Sequence, residues 1–217
     1  MIKNKSLEIP FISGLEAMDF QTLEKIMDEK AAKFNIDCVN WPEEYPYRPF
    51  AGGMIARSES HICVMYCVRG QDLRAKALED QGKVWEDSCC EMFISHPTDG
   101  TYYNFELNCI GTLLVAKRTG RHDPSNLSPE QMSRIKRFTS LPRKEYDVEG
   151  EVFSWTSGLC IPMDLIGIDS DNLPKSIKAN FFKCADGTPH IHFLSWNPIG
   201  TPSPDFHRPE FFGELFF

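Results

Sequence analysis

The densest set of side chains able to do chemistry lies between Val84 and Arg121. Trp85 is followed six residues later by Glu91, a carboxylate inside the otherwise apolar run Cys89 to Ser95. In the next run, Tyr103, Phe105 and Leu107 fall on one face while Tyr102, Asn104, Glu106 and Asn108 fall on the other, because strand side chains alternate with a period of two. One face is apolar and the other is a ladder of hydrogen-bonding groups. Arg118 and Arg121 follow the third apolar run. A carboxylate turned into a core is costly unless it is paired. Glu91 therefore either meets an arginine from a neighbouring strand or serves a ligand.

These residues need strands to place them. Apolar or alternating runs over Cys89 to Ser95, Tyr102 to Asn108 and Thr112 to Lys117 are separated by Pro97-Thr98-Asp99-Gly100 and by Ile110-Gly111, which reads as a three-stranded meander. The order Val-Trp-Glu-Asp-Ser, then Glu91-Met92-Phe93-Ile94, then Tyr103-Asn104-Phe105-Glu106-Leu107-Asn108 with Gly111-Thr112, resembles the family-nine carbohydrate-binding modules first recognised beside xylanases, and their DOMON-like relatives. A second block resembles the same family: Ala179-Asn180-Phe181-Phe182-Lys183-Cys184, His192-Phe193-Leu194-Ser195-Trp196-Asn197-Pro198, and Pro204 to Gly213. Together the two cover Phe50 to Phe217.

The resemblance implies recognition of a sugar end without catalysis, in carbohydrate catabolism. A sugar ring has an apolar C–H face and a rim of hydroxyls, so its site needs a flat aromatic surface with a few converging polar groups. By motif position Trp85 corresponds to the family's first tryptophan, Glu91 to its strand carboxylate and Trp196 to its second tryptophan. Arg118 or Arg121 supplies the guanidinium, and Asn108 and Asn180 are amide candidates. The expected site is thus two opposed indoles over Glu91 and an arginine. Core packing is the alternative for either tryptophan. The implied ligand is an oligosaccharide or polysaccharide such as xylan, and a glycoside hydrolase is the implied partner.

Two rival functions remain open at this level. Glu86, Asp87, Glu91 and Glu106 offer the acid and base carboxylates of a glycoside hydrolase, although 31 acidic residues make such pairs common. DOMON relatives hold haem through Met, His or Lys, for which Met54, Met65, Met92 and His61 are available; Met in an apolar strand is usually core filler. No Gly-x-Ser-x-Gly, His-Glu-x-x-His or Gly-rich phosphate loop occurs. No cofactor is expected; structural calcium, found in some family members, is left unassigned because the acidic residues do not show EF-hand spacing.

A net charge of −8 argues against a general nucleic-acid binder. No run approaches the roughly 20 apolar residues of a membrane span, and Met-Ile-Lys-Asn-Lys is not followed by an apolar signal segment. The expected compartment is the cytoplasm, or the periplasm or exterior if a leader was removed. The eight cysteines sit largely in apolar strand patterns and are expected to be reduced; the absence of Cys-x-x-Cys argues against structural zinc.

The 217 residues suit one domain. Its core spans 50–217, and residues 1–49 supply a strand with Pro10 at a sheet edge, a helix over Asp19 to Phe34 and a proline-punctuated extension. Asp72 to Gln81 reads as a short helix or turn, and Ser128-Pro129-Glu130-Gln131 as a capped helix start. With nine to eleven strands expected, the fold class is all-β: an antiparallel β-sandwich with an N-terminal helix and short helical insertions.

Overall fold

A computed structural model describes residues 4–217. The first three residues of the amino-terminal segment read for a leader lie outside that range. In chain order the elements are β1 (Ser6–Glu8), α1 (Phe20–Lys30), β2 (Ala32–Asn35), β3 (Cys38–Val39), β4 (Phe50–Arg57), β5 (His61–Ala75), β6 (Cys89–Ser95), β7 (Tyr102–Asn108), β8 (Leu113–Arg118), β9 (Ser125–Asn126), α2 (Pro129–Ser133), β10 (Lys136–Thr139), β11 (Tyr146–Pro162), β12 (Ser176–Cys184), β13 (Phe193–Ser195) and β14 (Gly213–Phe216). One sheet runs β1-β14-β12-β6-β7-β8-β9, with β13 on β12 and β3 on β13; the other runs β10-β11-β5-β4-β2. Among the described residues, all strand pairings are antiparallel except β1 with β14. This is the expected sandwich.

Strand alternation sorts the first sheet into two faces. Cys90, Met92, Ile94, Tyr103, Phe105, Leu107 and Phe181 enter the core between the sheets, where Phe34 stacks on Phe181 at 4.0 Å between ring centroids. The opposite face carries Cys89, Phe93, Tyr102, Phe182 and Cys184 and is roofed by Trp41, Ile199, Phe206 and Phe212 from the two loop segments around 41–47 and 197–212. Trp41 Nε1 donates to the Thr201 carbonyl at 2.7 Å, tying one roof segment to the other. The hydrogen-bonding ladder of β7 lies under this roof.

Three local expectations change. The N-terminal helix stops at Lys30 rather than Phe34, because Ala31 is already extended and Ala32–Asn35 pairs with β4. Phe34 recurs at helical spacing but reaches the core as a strand residue. Asp72 to Gln81 is not a helix: β5 continues to Ala75, with Asp72 at φ 64° where its partner β11 shifts register between Val148 and Val152, and the expected turn is confined to Asp80-Gln81. Cys63 and Cys160, opposed by the β5–β11 register, are joined as a disulfide, so the expectation of eight thiols is corrected; the other six cysteines are free. The caps follow the sequence. Asp19 accepts from Thr22 N at 2.9 Å, and Ser128 with Gln131 forms a capping box with Pro129 in the first turn.

Candidate functional site: a roofed cleft on the polar face

Asp87 fixes the start of the site. Its carboxylate is 1% exposed and accepts from Lys76 N at 2.9 Å, Ala77 N at 3.0 Å and Asn108 Nδ2 at 3.0 Å. That anchor holds the short 3-10 turn Val84–Glu86, whose middle residue is Trp85. Glu86 remains at the surface with Arg74 and Lys83. Of the four carboxylates considered for catalysis, only Glu91 and Glu106 reach the cleft that opens beside Trp85.

The cleft measures about 280 Å³. Its aromatic wall is Trp85, Phe193 and Phe206, with Phe206 stacked on Phe182 at 4.2 Å. Glu91 and Glu106 form the floor, directly opposite each other in the β6–β7 register. Arg118 Nε donates to Asn104 Oδ1 at 2.8 Å, and Asn104 Nδ2 donates to Glu106 Oε1 at 2.7 Å, so one amide links guanidinium to carboxyl. Arg118 is further held by a 2.7 Å bond from Nη1 to the Arg121 carbonyl. Among the described residues, Glu106 Oε2 is buried without a hydrogen-bond partner. Arg121, His122, Asp186, Asp205 and His207 complete the rim and sides.

Burial governs protonation here. It pushes the Glu106 carboxyl up to about 7, against the opposing influence of Asn104 and Arg118. Glu91 is held well above the usual carboxylate range, chiefly by burial and then by Cys184 and Glu106. Asp186 rises to about 6, mainly through burial. His207 falls to about 3, again through burial first and then the charges of Arg118 and Arg121. Its ring is held by Tyr102 OH at 2.9 Å and packs on Phe93. At neutral pH the floor thus offers carboxyl groups able both to donate and to accept, beside a fixed guanidinium.

The expected site residues divide. Trp85, Glu91, Arg118 and Arg121 meet in the cleft. Trp196 does not. Phe193 and Trp196 differ by an odd number of positions, so they face opposite ways: Phe193 lines the cleft while Trp196, 4% exposed, enters the inner core with Leu194. Its ring meets Phe181 at 5.5 Å and lies against Gly213, where an added Cβ would come within 2.5 Å of Trp196 Cζ3. The opposed-tryptophan arrangement is therefore corrected.

Asn108 and Asn180 lie outside the cleft lining as well, and each is saturated by the fold. Asn108 donates to the Ala77 carbonyl and Asp87 and accepts from Ile110 N and Thr112 N. Asn180 donates to the Asn197 and Phe211 carbonyls and accepts from Asn197 N, pinning the roof segment. The haem-ligand candidates do not converge either: Met92 lies in the inter-sheet core, whereas Met54 and Met65 pack beneath α1 in a separate cluster.

Phe193, Phe206, His207, Asp186 and Cys184 line the cleft in addition to the expected site residues, although all but Asp186 stand inside the second motif block. Strand parity could have found Phe193 and Cys184. The position of Asp205-Phe206-His207 depends on a loop path that local pattern does not encode.

The model of carbohydrate-binding family 9 matches residues 21–217. The chain belongs to carbohydrate-binding family 9. A crystal structure of a candidate carbohydrate-binding protein from Bacteroides uniformis superposes with a TM-score of 0.91 at 34% identity, covering 99% of this chain and 100% of that one. Two structures of a family 9 module from Caldicellulosiruptor kristjanssonii share the fold at 11% identity. The glucose complex gives a TM-score of 0.61 over 98% of this chain and 95% of that one, and the cellotriose complex 0.59 over 98% and 93%. No curated protein sequence matches the chain. Family 9 membership makes this a non-catalytic carbohydrate-binding protein.

Proposed function

We propose that the roofed cleft takes one end of an oligosaccharide or polysaccharide. The observation that carries this reading is the juxtaposition of Trp85, Phe193 and Phe206 with the Glu91, Glu106 and Arg118 floor. The aromatic wall covers the C–H face of a sugar ring; stacking of this kind contributes on the order of 1 kcal/mol beyond area burial. Glu106 Oε2 gains the partner it lacks from a sugar hydroxyl. The volume of about 280 Å³ is at the lower limit of small-ligand pockets, which suits a chain end rather than a long bound stretch.

The floor carboxyls speak against hydrolysis by this cleft. Glycosidase carboxyl groups flank the scissile bond. Glu91 and Glu106 are neighbours on one sheet face, on the same side of any ligand above them. The glucose and cellotriose complexes of the Caldicellulosiruptor module make glucose and cello-oligosaccharides the first ligands to test, with xylo-oligosaccharides beside them. Within the same reading, a glycoside hydrolase is the partner that would use such recognition.

A glycan-array screen of the purified chain tests the proposal. Binding confined to glycans with an accessible end, competed by the matching free sugar, is the expected result. Absence of any glycan binding by folded protein would overturn it.

A further inference from the structure

Two pairs of cysteines stand opposed across neighbouring strands. Cys63 and Cys160 are joined. Cys89 and Cys184, opposed in the β6–β12 register, remain thiols. Glu91 lies two positions after Cys89 on the same strand face, so the three side chains project together. One donor atom from each lies within 4.8 Å of the other two, and Cys184 Sγ is 3.0 Å from Glu91 Oε1. The residues are 0%, 1% and 3% exposed for Cys89, Cys184 and Glu91.

These distances fit a metal centre with little movement. Sulfur–zinc bonds are about 2.3 Å and oxygen–zinc bonds about 2.0–2.2 Å, so donors at tetrahedral angles stand roughly 3.5–3.8 Å apart. Two thiolates and a carboxylate select zinc or its thiophilic analogues over calcium or magnesium, which prefer all-oxygen shells. Access is provided as well: Glu91 and Cys184 line the cleft while Cys89 stands behind them. A second observation points the same way. Glu106, facing Glu91 across the strand pair, keeps a buried and unpartnered Oε2 on the same floor, an acceptor for a metal-bound water.

We propose that Cys89, Cys184 and Glu91 form a three-ligand site for a thiophilic divalent cation, zinc by its chemistry, with the fourth position open to the cleft. Two sulfur–metal bonds and one oxygen–metal bond form as the two thiol protons and the Glu91 carboxyl proton leave to solvent, with no change of oxidation state. Three protein ligands and an open position describe zinc sites that exchange a water, whereas closed structural sites supply four ligands. This site does not depend on the sugar reading, since water alone can fill the open position.

The test uses the full chain, reduced at its free thiols and stripped of metal. Titration with Zn²⁺ by calorimetry and with Co²⁺ by visible absorption is expected to show one equivalent bound and a thiolate-to-cobalt charge-transfer band. Cys89→Ser and Cys184→Ser are each expected to weaken binding by more than about 100-fold, since loss of a supporting group alone costs 10–100-fold. Cys38→Ser and Cys67→Ser, at half-buried thiols outside the cluster, are expected to bind as the parent does. Glu91→Gln keeps both thiols and decides the matter if the serine variants fail to fold; it is expected to weaken binding while retaining charge-transfer absorption. No stoichiometric binding by the parent would overturn the proposal. So would binding that survives both serine substitutions unchanged, or a Glu91→Gln protein with parental affinity. Sugar titration of the metal-free protein reads the carbohydrate proposal separately.

Discussion

Glu91 and Glu106 stand directly opposite each other on β6 and β7, both buried and both facing the cleft. Two carboxyls at such register positions have Cβ atoms roughly 4.5–5.5 Å apart, close enough that like charges oppose each other. Burial first, then Cys184 and the facing Glu106, hold Glu91 above the usual carboxylate range, while Glu106 is raised by burial with a smaller contribution from Asp186.

Stability is expected to depend on pH through Glu106. In the unfolded chain it titrates near an ordinary carboxyl value, in the fold at about 7. Between those values the folded chain holds a proton that the unfolded chain releases, so stability falls as pH rises through this window. Glu91 and Asp186 act in the same direction. His207, held at about 3, acts oppositely, and its contribution is lost as pH falls below its unfolded value. Glu106→Gln should therefore exceed the parent in stability at pH 8, by up to about 3 kcal/mol, and match it at pH 4. Urea unfolding at both pH values checks this; a variant weaker than the parent at pH 8 would contradict it.

Trp196→Ala is expected to lose about 3–5 kcal/mol of stability, the cost of emptying a large buried aromatic site. The folded fraction should bind sugar with parental affinity. Denaturant unfolding and sugar titration of the same sample distinguish this core role from a role in the site.

Asn108→Ala removes a side chain making four hydrogen bonds and leaves buried Asp87 short of a donor. A loss of about 2–4 kcal/mol in denaturant unfolding is expected.

Thiol titration of denatured, unreduced protein should find six reactive groups, with Cys63 and Cys160 unreactive until reductant is added. Eight groups before reduction would contradict the disulfide.

Period-two alternation made the core face and the polar face of β7 legible, and with them the sandwich itself; that Glu106 joins Glu91 in the floor depends on the β6–β7 register. The same rule, applied between Phe193 and Trp196, separates a cleft residue from a core residue; motif position alone put the tryptophan on the wrong face. Long-range register is a different matter. That Cys89 faces Cys184, or Cys63 faces Cys160, depends on strands about a hundred positions apart, and no local pattern specifies it. Phe206 and His207 were hidden for a related reason: their place is set by the roof segment being pinned through Asn180.

Trp85 tests the carbohydrate-binding proposal most directly. Calorimetric titration of the parent and Trp85→Ala, with glucose, cello-oligosaccharides and xylo-oligosaccharides, should give saturable binding for the parent with at least one of these. The variant should fold normally and bind at least about 10-fold more weakly, a difference of roughly 1.4 kcal/mol. Equal affinity in the two proteins would contradict a sugar site against the Trp85 wall.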